Sequence, residues 1–547
     1  MNAHTIRSLI DYRAAQSPDA PFILGVHIDE QANNPAGGQT NKTTGSPLSD
    51  PVAEHITYRQ LLTRVSVVAE YLDQQGLAAG DSVAYAFDNS PDTAIHLLGI
   101  LYGGYRAVAV NLVAGPQIMG YVLAHSDTRL VLTQPHYHDL LAAAFDHLTT
   151  DSPDCSPPHM ITLTGDGLTS EDPLGTGSPC HLSPPPSVTQ KTTDLSALNS
   201  DSDALLMYTS GTTGRPKGVV LSQQNLLAGG QNTATAHELT DHDRALCVLP
   251  LYHINGLCVT VMAPLVSGGS VVLPPRFSST RFWSWCLEYQ CTWFSVVPTQ
   301  ISYLLHGDDV LPDTHSLRFG RSASAPLSPE VHRAFEERFG LPLIETMGLT
   351  ETSAQILSNP QPPGERRVGS PGIPFGDDVI ICDDDGVKKP ANTEGELWVR
   401  GPNVMQRYYK NKEATDAALT ADGWLRTGDL GRCDSDGYIY ITGRLKELII
   451  KGGENIAPRE IDDALYQHPD VIEAAAFALP CERYGQRIEA AVCVRDGSSV
   501  DESDLLYLCE SVLGSFKRPD KIYFLQMLPK GPSGKIQRIN LPKLTNA

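Results

Sequence analysis

Positive charge is in short supply: 41 Lys and Arg stand against 63 Asp and Glu in 547 residues, a formal net charge of −22. That balance argues against nucleic acid or an anionic membrane as partner, and requires local basic loops to hold any anionic ligand. Cysteine is sparse as well. The 11 cysteines are scattered without a CxxC pair, which reads as reduced thiols in a cytoplasmic setting rather than a disulfide framework or a zinc site. Uninterrupted apolar runs are missing too. Ala245 to Pro275 carries no Asp, Glu, Lys or Arg, but Pro250, Asn255, Gly256, Pro264 and the pair Gly268-Gly269 break it, so a buried strand, helix and strand are expected rather than a membrane span. The amino-terminal stretch lacks the apolar core and cleavage site of a signal peptide and is expected to form an amphipathic helix ending before Pro18. "KLTNA" at the other end carries no targeting tripeptide.

A chain this long needs at least two domains, and 41% hydrophobic with 19% charged residues is ordinary globular composition. Residues 30–53 and 151–200 read as loop insertions; the second holds eight prolines and no Phe, Trp or Tyr, and neither is expected to build much core. Between them "DSVAYAFDNSPDTAIHLLGILYGGYRAVAVN" reads as strand, helix opened at Ser90-Pro91, and strand, the unit of a parallel sheet. "ALCVLPLYHINGLCVTVMAPLVSGGSVVLP" repeats that order. From about Leu397 short strands and turns take over, and a small α+β section begins at Lys446.

"YTSGTTGRPKGV" (208–219) concentrates hydroxyls, glycines and Lys217 in one turn-prone stretch. Its backbone can approach an anion closely, and Thr209, Ser210, Thr212, Thr213 and Lys217 add donors and charge around Gly211 and Gly214. A Walker loop is excluded, because Pro216 precedes Lys217 and Gly218 follows it. An ordinary Ser/Thr/Gly loop between two strands is the alternative. Four further stretches stand in order behind it: "ETMGLTE" (345–351), "GWLRTGDLG" (423–431), "GRLKELIIKGGENIAPREID" (443–462) and "PKGPSGKIQR", which holds Lys535.

Together these stretches resemble the adenylate-forming superfamily of acyl-CoA synthetases, luciferases and peptide-synthetase adenylation domains, over essentially the whole chain outside the two insertions. The resemblance implies an α/β fold: a large amino-terminal AMP-binding domain, 1–445, of mixed and parallel sheets with helices and a small barrel-like part, and a small mobile α+β domain, 446–547, on a hinge at Lys446. It implies ATP, Mg²⁺ and CoA as cofactor and co-substrates. Activation has a carboxylate oxygen attack the α-phosphorus while pyrophosphate leaves, so charge must be stabilised on both sides of it. The loop around Lys217 would hold the β- and γ-phosphates, and Glu351 would be the magnesium ligand, since Mg²⁺ prefers one or two carboxylates plus phosphate oxygens. Thr350 would touch the α-phosphate, with Met347 and Gly348 at the adenine. The family usually has tyrosine where Met347 stands, and a thioether covers the ring with less area. Asp429 would accept the ribose hydroxyls with Arg444 reinforcing it, and Lys535 would serve the adenylation transition state. For the thiol step the small domain would swing, replacing Lys535 by the loop of Gly452 and Gly453, which lets pantetheine pass.

No carrier-like serine motif follows Lys535, so free CoA is the expected acceptor. "RFSSTRFWSWCLEYQCTWFSVVPT", "RFGRSASAPLSPEV" and "GPNVMQRYYKN" look most like the oxalate-CoA ligase branch, whose relatives include sulfoacetate ligases. His253, Arg321, Ser322 and Ser324 are polar in segments that line the acyl side in that family, and a second anionic group would want such donors. Arg321 reads equally as a structural ion pair, and His253 as a gate for CoA or a cap after Pro250. The expected partner is therefore a short polar or dianionic carboxylic acid, the expected assembly a monomer or homodimer. A fatty acyl-CoA ligase, a carrier-loading enzyme and a non-catalytic nucleotide-binding regulator are the alternatives.

Overall fold

The computed structural model describes residues 3–26, 55–151, 156–163, 195–209, 215–307, 309–531 and 535–545. The amino-terminal helix spans Ile6–Gln16, with Thr5 capping it through Ser8, and turns its apolar side inward through Ile6, Leu9, Ile10 and Ala14. Ser90 caps the helix Pro91–Tyr102, whose proline at the first turn is preset for helical φ. The strands on either side, Ser82–Ala86 and Arg106–Ala109, pair in parallel, Ser82 opposite Arg106. The second expected unit forms as well. Arg244–Cys247 and Ser270–Leu273 are parallel neighbours, linked by a π-helical stretch, Asn255–Met262, that continues into the helix Ala263–Ser267.

Two large sheets result. One has seven strands in the order Arg407–Tyr408, Lys217–Ser222, Asp203–Thr209, Arg106–Ala109, Ser82–Ala86, Thr128–Thr133, His159–Thr162. The other has nine, with Arg244–Cys247, Trp293–Val296, Phe319–Ser322 and Leu343–Leu349 running parallel at its centre. Parallel strands buried on both faces read as near-continuous apolar runs, and Trp293, Phe294, Phe319 and Ile344 are fully buried there. A third, four-stranded antiparallel sheet starts at Asp378–Cys382, earlier than the change of pattern at Leu397 suggested, and ends at Ile439–Arg444. From Ile449 onward a smaller domain follows. Its strands Val471–Cys481 and Gly485–Val494 form a long antiparallel pair, packed on the helices Pro458–Leu465 and Glu502–Leu513 with a core of its own around Ile461, Ala476, Ile488 and Leu505.

One expectation needs correction. The insertion 151–200 was expected to add little core, yet the strand His159–Thr162 closes one edge of the seven-stranded sheet, and Ile161 and Leu163 join the main core. Two aliphatic side chains at alternate positions suffice for an edge strand, which needs no aromatic. Residues 30–53 and 164–194 lie outside the described residues. Among the described residues no helix is long and apolar enough to cross a membrane.

Candidate active site

A cleft opens where the ends of the nine-stranded sheet and the four-stranded sheet face the small domain. Its walls include Ser324, Thr346, Met347, Gly348, Asp429 and Arg444 on one side, and Arg459, Lys535 and Arg538 on the other. Asp429 lies on the strand Leu425–Cys433 directly opposite Arg444 on Ile439–Arg444. Arg444 Nε donates to Asp429 Oδ1 at 2.6 Å and Nη2 to Oδ2 at 3.4 Å, a two-point contact that holds the carboxylate in one orientation. Burial would lower the Arg444 pKa, but the carboxylates of Asp429, Glu447 and Glu351 outweigh it and hold the guanidinium above its ordinary value. Lys535 has the opposite balance. Burial first, and the Arg444 guanidinium second, pull its ammonium below the ordinary lysine value.

Met347 and Gly348 lie near the end of the strand Leu343–Leu349, just before the turn to its antiparallel neighbour Ala354–Ser358, and the register slips by a bulge between them. A Cβ on Gly348 would come within 1.7 Å of the Ala354 carbonyl oxygen, so only glycine fits. Thr350 and Glu351 stand in this turn, outside the cleft lining. Glu351 Oε1 accepts the Tyr408 hydroxyl at 2.9 Å, and Lys217 Nζ lies 4.8 Å from the centre of the same tyrosine ring. Thr209 and Lys217 face each other across the antiparallel pair Asp203–Thr209 and Lys217–Ser222. The connection between them therefore joins two strands, unlike a Walker loop, which opens a helix. Ser210, Gly211, Thr212, Thr213 and Gly214 lie outside the described residues.

Of the four acyl-side candidates Ser324 lines the cleft, with φ 73°, a left-handed conformation costly for a side chain with a Cβ. Arg321 is 1% exposed and does not face the cleft. Among the described residues it makes no ion pair either: its partners are the neutral oxygens of Asn255, Ser295 and Gln355. Burial lowers its pKa to about 9. Ser322 is buried beside it on the same strand, its hydroxyl without a hydrogen-bond partner among the described residues. His253 stands in the turn before the π-helical stretch, where its amide donates to the Pro250 carbonyl at 3.0 Å, and burial draws its imidazole down to about 4. Gly452 and Gly453 form the turn between Ile449–Lys451 and Glu454–Ile456 at φ 62° and 89°, outside the cleft lining. Lys446 is exposed in the turn after Arg444.

Tyr408, Arg459 and Arg538 lie within the quoted stretches 401–411, 443–462 and 529–538, yet no local pattern sets them apart as site residues; Arg459 and Arg538 line the cleft and Tyr408 stands outside it beside Glu351. Arg459 Nη1 reaches the Ile441 carbonyl of the four-stranded sheet at 2.9 Å, and Arg538 is held by Asp462 and the Ala476 carbonyl. With Lys535 and Arg444, the two arginines set four cations among the carboxylates of Glu345, Asp429, Glu447, Asp462 and Asp463 in the cleft wall; Arg444, Arg459 and Arg538 are paired with Asp429, Asp463 and Asp462, which leaves Lys535 as the cation available to an anionic ligand. Glu351 is suited to a hard cation, as Oε2 accepts no hydrogen bond among the described residues. Among those residues no group of three or more His, Cys, Asp or Glu could cage a metal, so an ion here would share its coordination with ligand oxygens.

Residues 36–409 match the model of the AMP-binding enzyme family, and residues 460–535 that of the AMP-binding enzyme C-terminal domain. The chain is 45% identical to a sulfoacetate–CoA ligase of Cupriavidus necator over 98% of this chain and 97% of that one. It is 36% identical to an oxalate–CoA ligase of Arabidopsis thaliana over 88% and 92%. Among solved structures it resembles ATP-bound MatB from Rhodopseudomonas palustris, at 26% identity and a TM-score of 0.81 over 99% of each chain. O-succinylbenzoate CoA synthetase (MenE) from Bacillus subtilis, in complex with ATP and magnesium, aligns at 26% identity and a TM-score of 0.78 over 98% and 99%. The five motifs, the Asp429–Arg444 clamp in the cleft and these matches agree: the chain belongs to the AMP-binding enzyme family, as an acyl-CoA ligase of the AMP-forming type.

Proposed function

We propose that the cleft activates a small carboxylic acid bearing a second anionic group, of the sulfoacetate or oxalate kind, as its acyl-adenylate and passes the acyl group to CoA. The observation that carries the choice of acid is the buried Arg321 cation behind Ser324, which has no ion pair among the described residues. A fatty acid would call for an apolar tunnel there. The names of the two relatives above support the same chemistry.

In this reading the acid's carboxylate oxygen attacks the α-phosphorus of ATP and pyrophosphate leaves. Asp429, locked by Arg444, accepts hydrogen bonds from the ribose hydroxyls and fixes the nucleotide. Met347 packs on the adenine above Gly348, and Thr350 reaches the α-phosphate. Lys535 brings its ammonium to the carboxylate and bridging oxygen where negative charge develops. Lys217, oriented on Tyr408, serves the outer phosphates. Glu351 would hold magnesium, which when bound neutralises phosphate charge. The CoA thiol then attacks the acyl carbon and AMP departs, with the turn of Gly452 and Gly453 giving the thiol arm room and Lys446 acting as the hinge between the two arrangements. Pyrophosphate release measured with oxalate, sulfoacetate, malonate, acetate, octanoate and palmitate tests this directly. Preference for octanoate or palmitate overturns the choice of acid, and no release with any acid overturns the enzyme.

A further inference from the structure

Arg321 on Phe319–Ser322 lies beside Ser295 on the neighbouring strand Trp293–Val296, in register. Its Nη1 donates to Ser295 Oγ and to Asn255 Oδ1, both at 3.0 Å, while Ser295 Oγ passes its own hydrogen to Asn255 Oδ1 at 3.1 Å. Two donors on one amide oxygen leave Asn255 a single orientation. Its Nδ2 is thereby turned toward the cleft, where it donates to Ser324 Oγ at 3.1 Å. Because Ser324 already accepts from Asn255, its own hydrogen is released toward the space that it lines. Every hydrogen bond in this chain points the same way, from the buried guanidinium to the cleft. The backbone of Ser324 is left-handed there, a costly conformation for a residue with a Cβ that the surrounding contacts must offset.

A cation buried among neutral oxygens is costly unless something balances its charge. Among the described residues no ionised side chain balances it: the titratable neighbour that acts on Arg321 is the Cys258 thiol, which burial keeps protonated and neutral, its pKa raised to about 12. We propose that Arg321 is a positioning residue for acid selection: through Asn255 it makes Ser324 a hydroxyl donor to the cleft, and its unbalanced charge favours acids with a second anionic group. This rests on the reading of the substrate given above. It differs from a direct ligand role, since the guanidinium never reaches the cleft.

The test compares kcat and KM for sulfoacetate, malonate and oxalate, each against propionate, in the full-length wild type, Ser324→Ala, Asn255→Asp and Arg321→Lys. Asn255→Asp sets a carboxylate against Arg321 and can only accept from Ser324, so the hydroxyl turns inward and the cation is balanced. For this variant and for Ser324→Ala the preference in kcat/KM for the dianion over propionate is expected to fall about tenfold or more, mainly through KM. Arg321→Lys keeps the charge but not the fork and is expected to lose less. The melting temperature of Asn255→Asp is expected to hold or rise, because a buried cation gains its partner. If the wild type prefers dianions and Ser324→Ala and Asn255→Asp keep that preference, the relay is wrong while the substrate reading stands. If kcat falls equally for all acids, Arg321 is merely structural. A wild type indifferent to the second charge overturns the substrate reading itself.

Discussion

Tyr408 joins two residues that stand 134 positions apart: its hydroxyl donates to Glu351 Oε1 at 2.9 Å, and its ring lies under Lys217 Nζ at 4.8 Å. A cation for phosphate oxygens and a carboxylate for a metal would otherwise pair with each other and cancel. The aromatic ring keeps them adjacent but separate, and burial, together with Glu351, pushes the tyrosine pKa well above its ordinary value, so the hydroxyl stays a donor.

Tyr408→Phe keeps the ring under Lys217 and removes the donor. The expected result is a drop of about tenfold in kcat/KM for ATP, with an increased requirement for magnesium as Glu351 loses its orientation. Titrating magnesium at saturating acid checks it, and an unchanged magnesium dependence rejects the role of the hydroxyl.

Lys535→Ala is expected to reduce pyrophosphate release by at least about a hundredfold, the scale of losing one charge aimed at a transition state. Thioester formation from a supplied acyl-adenylate should survive, as that step does not use the ammonium. The wild-type adenylation rate should also fall with rising pH as Lys535 deprotonates, below the ordinary lysine value, because burial and Arg444 depress it. Equal loss in both half-reactions contradicts the assignment.

Much of this site is legible in the sequence, for a local reason. Glycine-rich turns at strand ends carry their geometry in a few consecutive residues, so the motifs that hold Gly348, Asp429 and Arg444 carry the family resemblance that implies their roles, and the two strand–helix–strand units read directly from their pattern. Tyr408, Asn255 and Arg459 do not. Each takes its meaning from a partner on a distant strand: Tyr408 from Glu351, Asn255 from Arg321 and Ser324, Arg459 from the Ile441 carbonyl. The edge strand His159–Thr162 is hidden in the sequence for a different reason: the surrounding prolines dominate the composition while Ile161 and Leu163 do the packing.

That strand sets the limit of a tolerated deletion. Removing 164–194 behind a short flexible linker should leave a folded, active enzyme, because composition gives this stretch little apolar surface to bury. Extending the deletion back to 156 removes Ile161 and Leu163 from the core and should lower the melting temperature. Equal stability of the two deletions would show that the edge strand contributes nothing.

Asp377 offers a pH test away from the cleft. Its Oδ2 accepts from Asn403 Nδ2 at 3.0 Å and from Asn232 Nδ2 at 3.2 Å, whereas its Oδ1 and Asn403 Oδ1 are both buried without partners among the described residues and both border the space over Gly401. Burial raises the Asp377 pKa to about 7, and a proton on Oδ1 would turn one of these buried acceptors into a donor. A carboxyl raised above its unfolded value stabilises the fold in the protonated form, so stability is lost as pH rises from the ordinary value of 3.8 through about 7. Asp377→Asn supplies the donor at every pH. Its melting temperature should match the wild type near pH 5 and exceed it at pH 8 by a margin on the order of a few degrees; a uniform loss at both pH values would refute the proton on Oδ1.

The hinge gives the last test. Lys446 is exposed in the turn that follows Arg444, where the Leu445 amide is tied to the Gly428 carbonyl at 2.9 Å and the Glu447 amide to the Arg444 carbonyl at 3.0 Å. The present arrangement puts Lys535 in the cleft and leaves the turn of Gly452 and Gly453 outside it. If both serve one reaction, the backbone must rotate between the Asp429–Arg444 clamp and the small domain, and proline restricts such rotation at its own φ and at the residue before it. Lys446→Pro is therefore expected to preserve adenylation within a fewfold and to slow the CoA step by a larger factor, visible as acyl-adenylate accumulating in a single-turnover experiment. Lys446→Ala, which removes the charge but not the freedom, should behave as the wild type in both steps. If the alanine variant is as slow in the CoA step as the proline variant, the side chain matters rather than the rotation, and the pivot lies elsewhere.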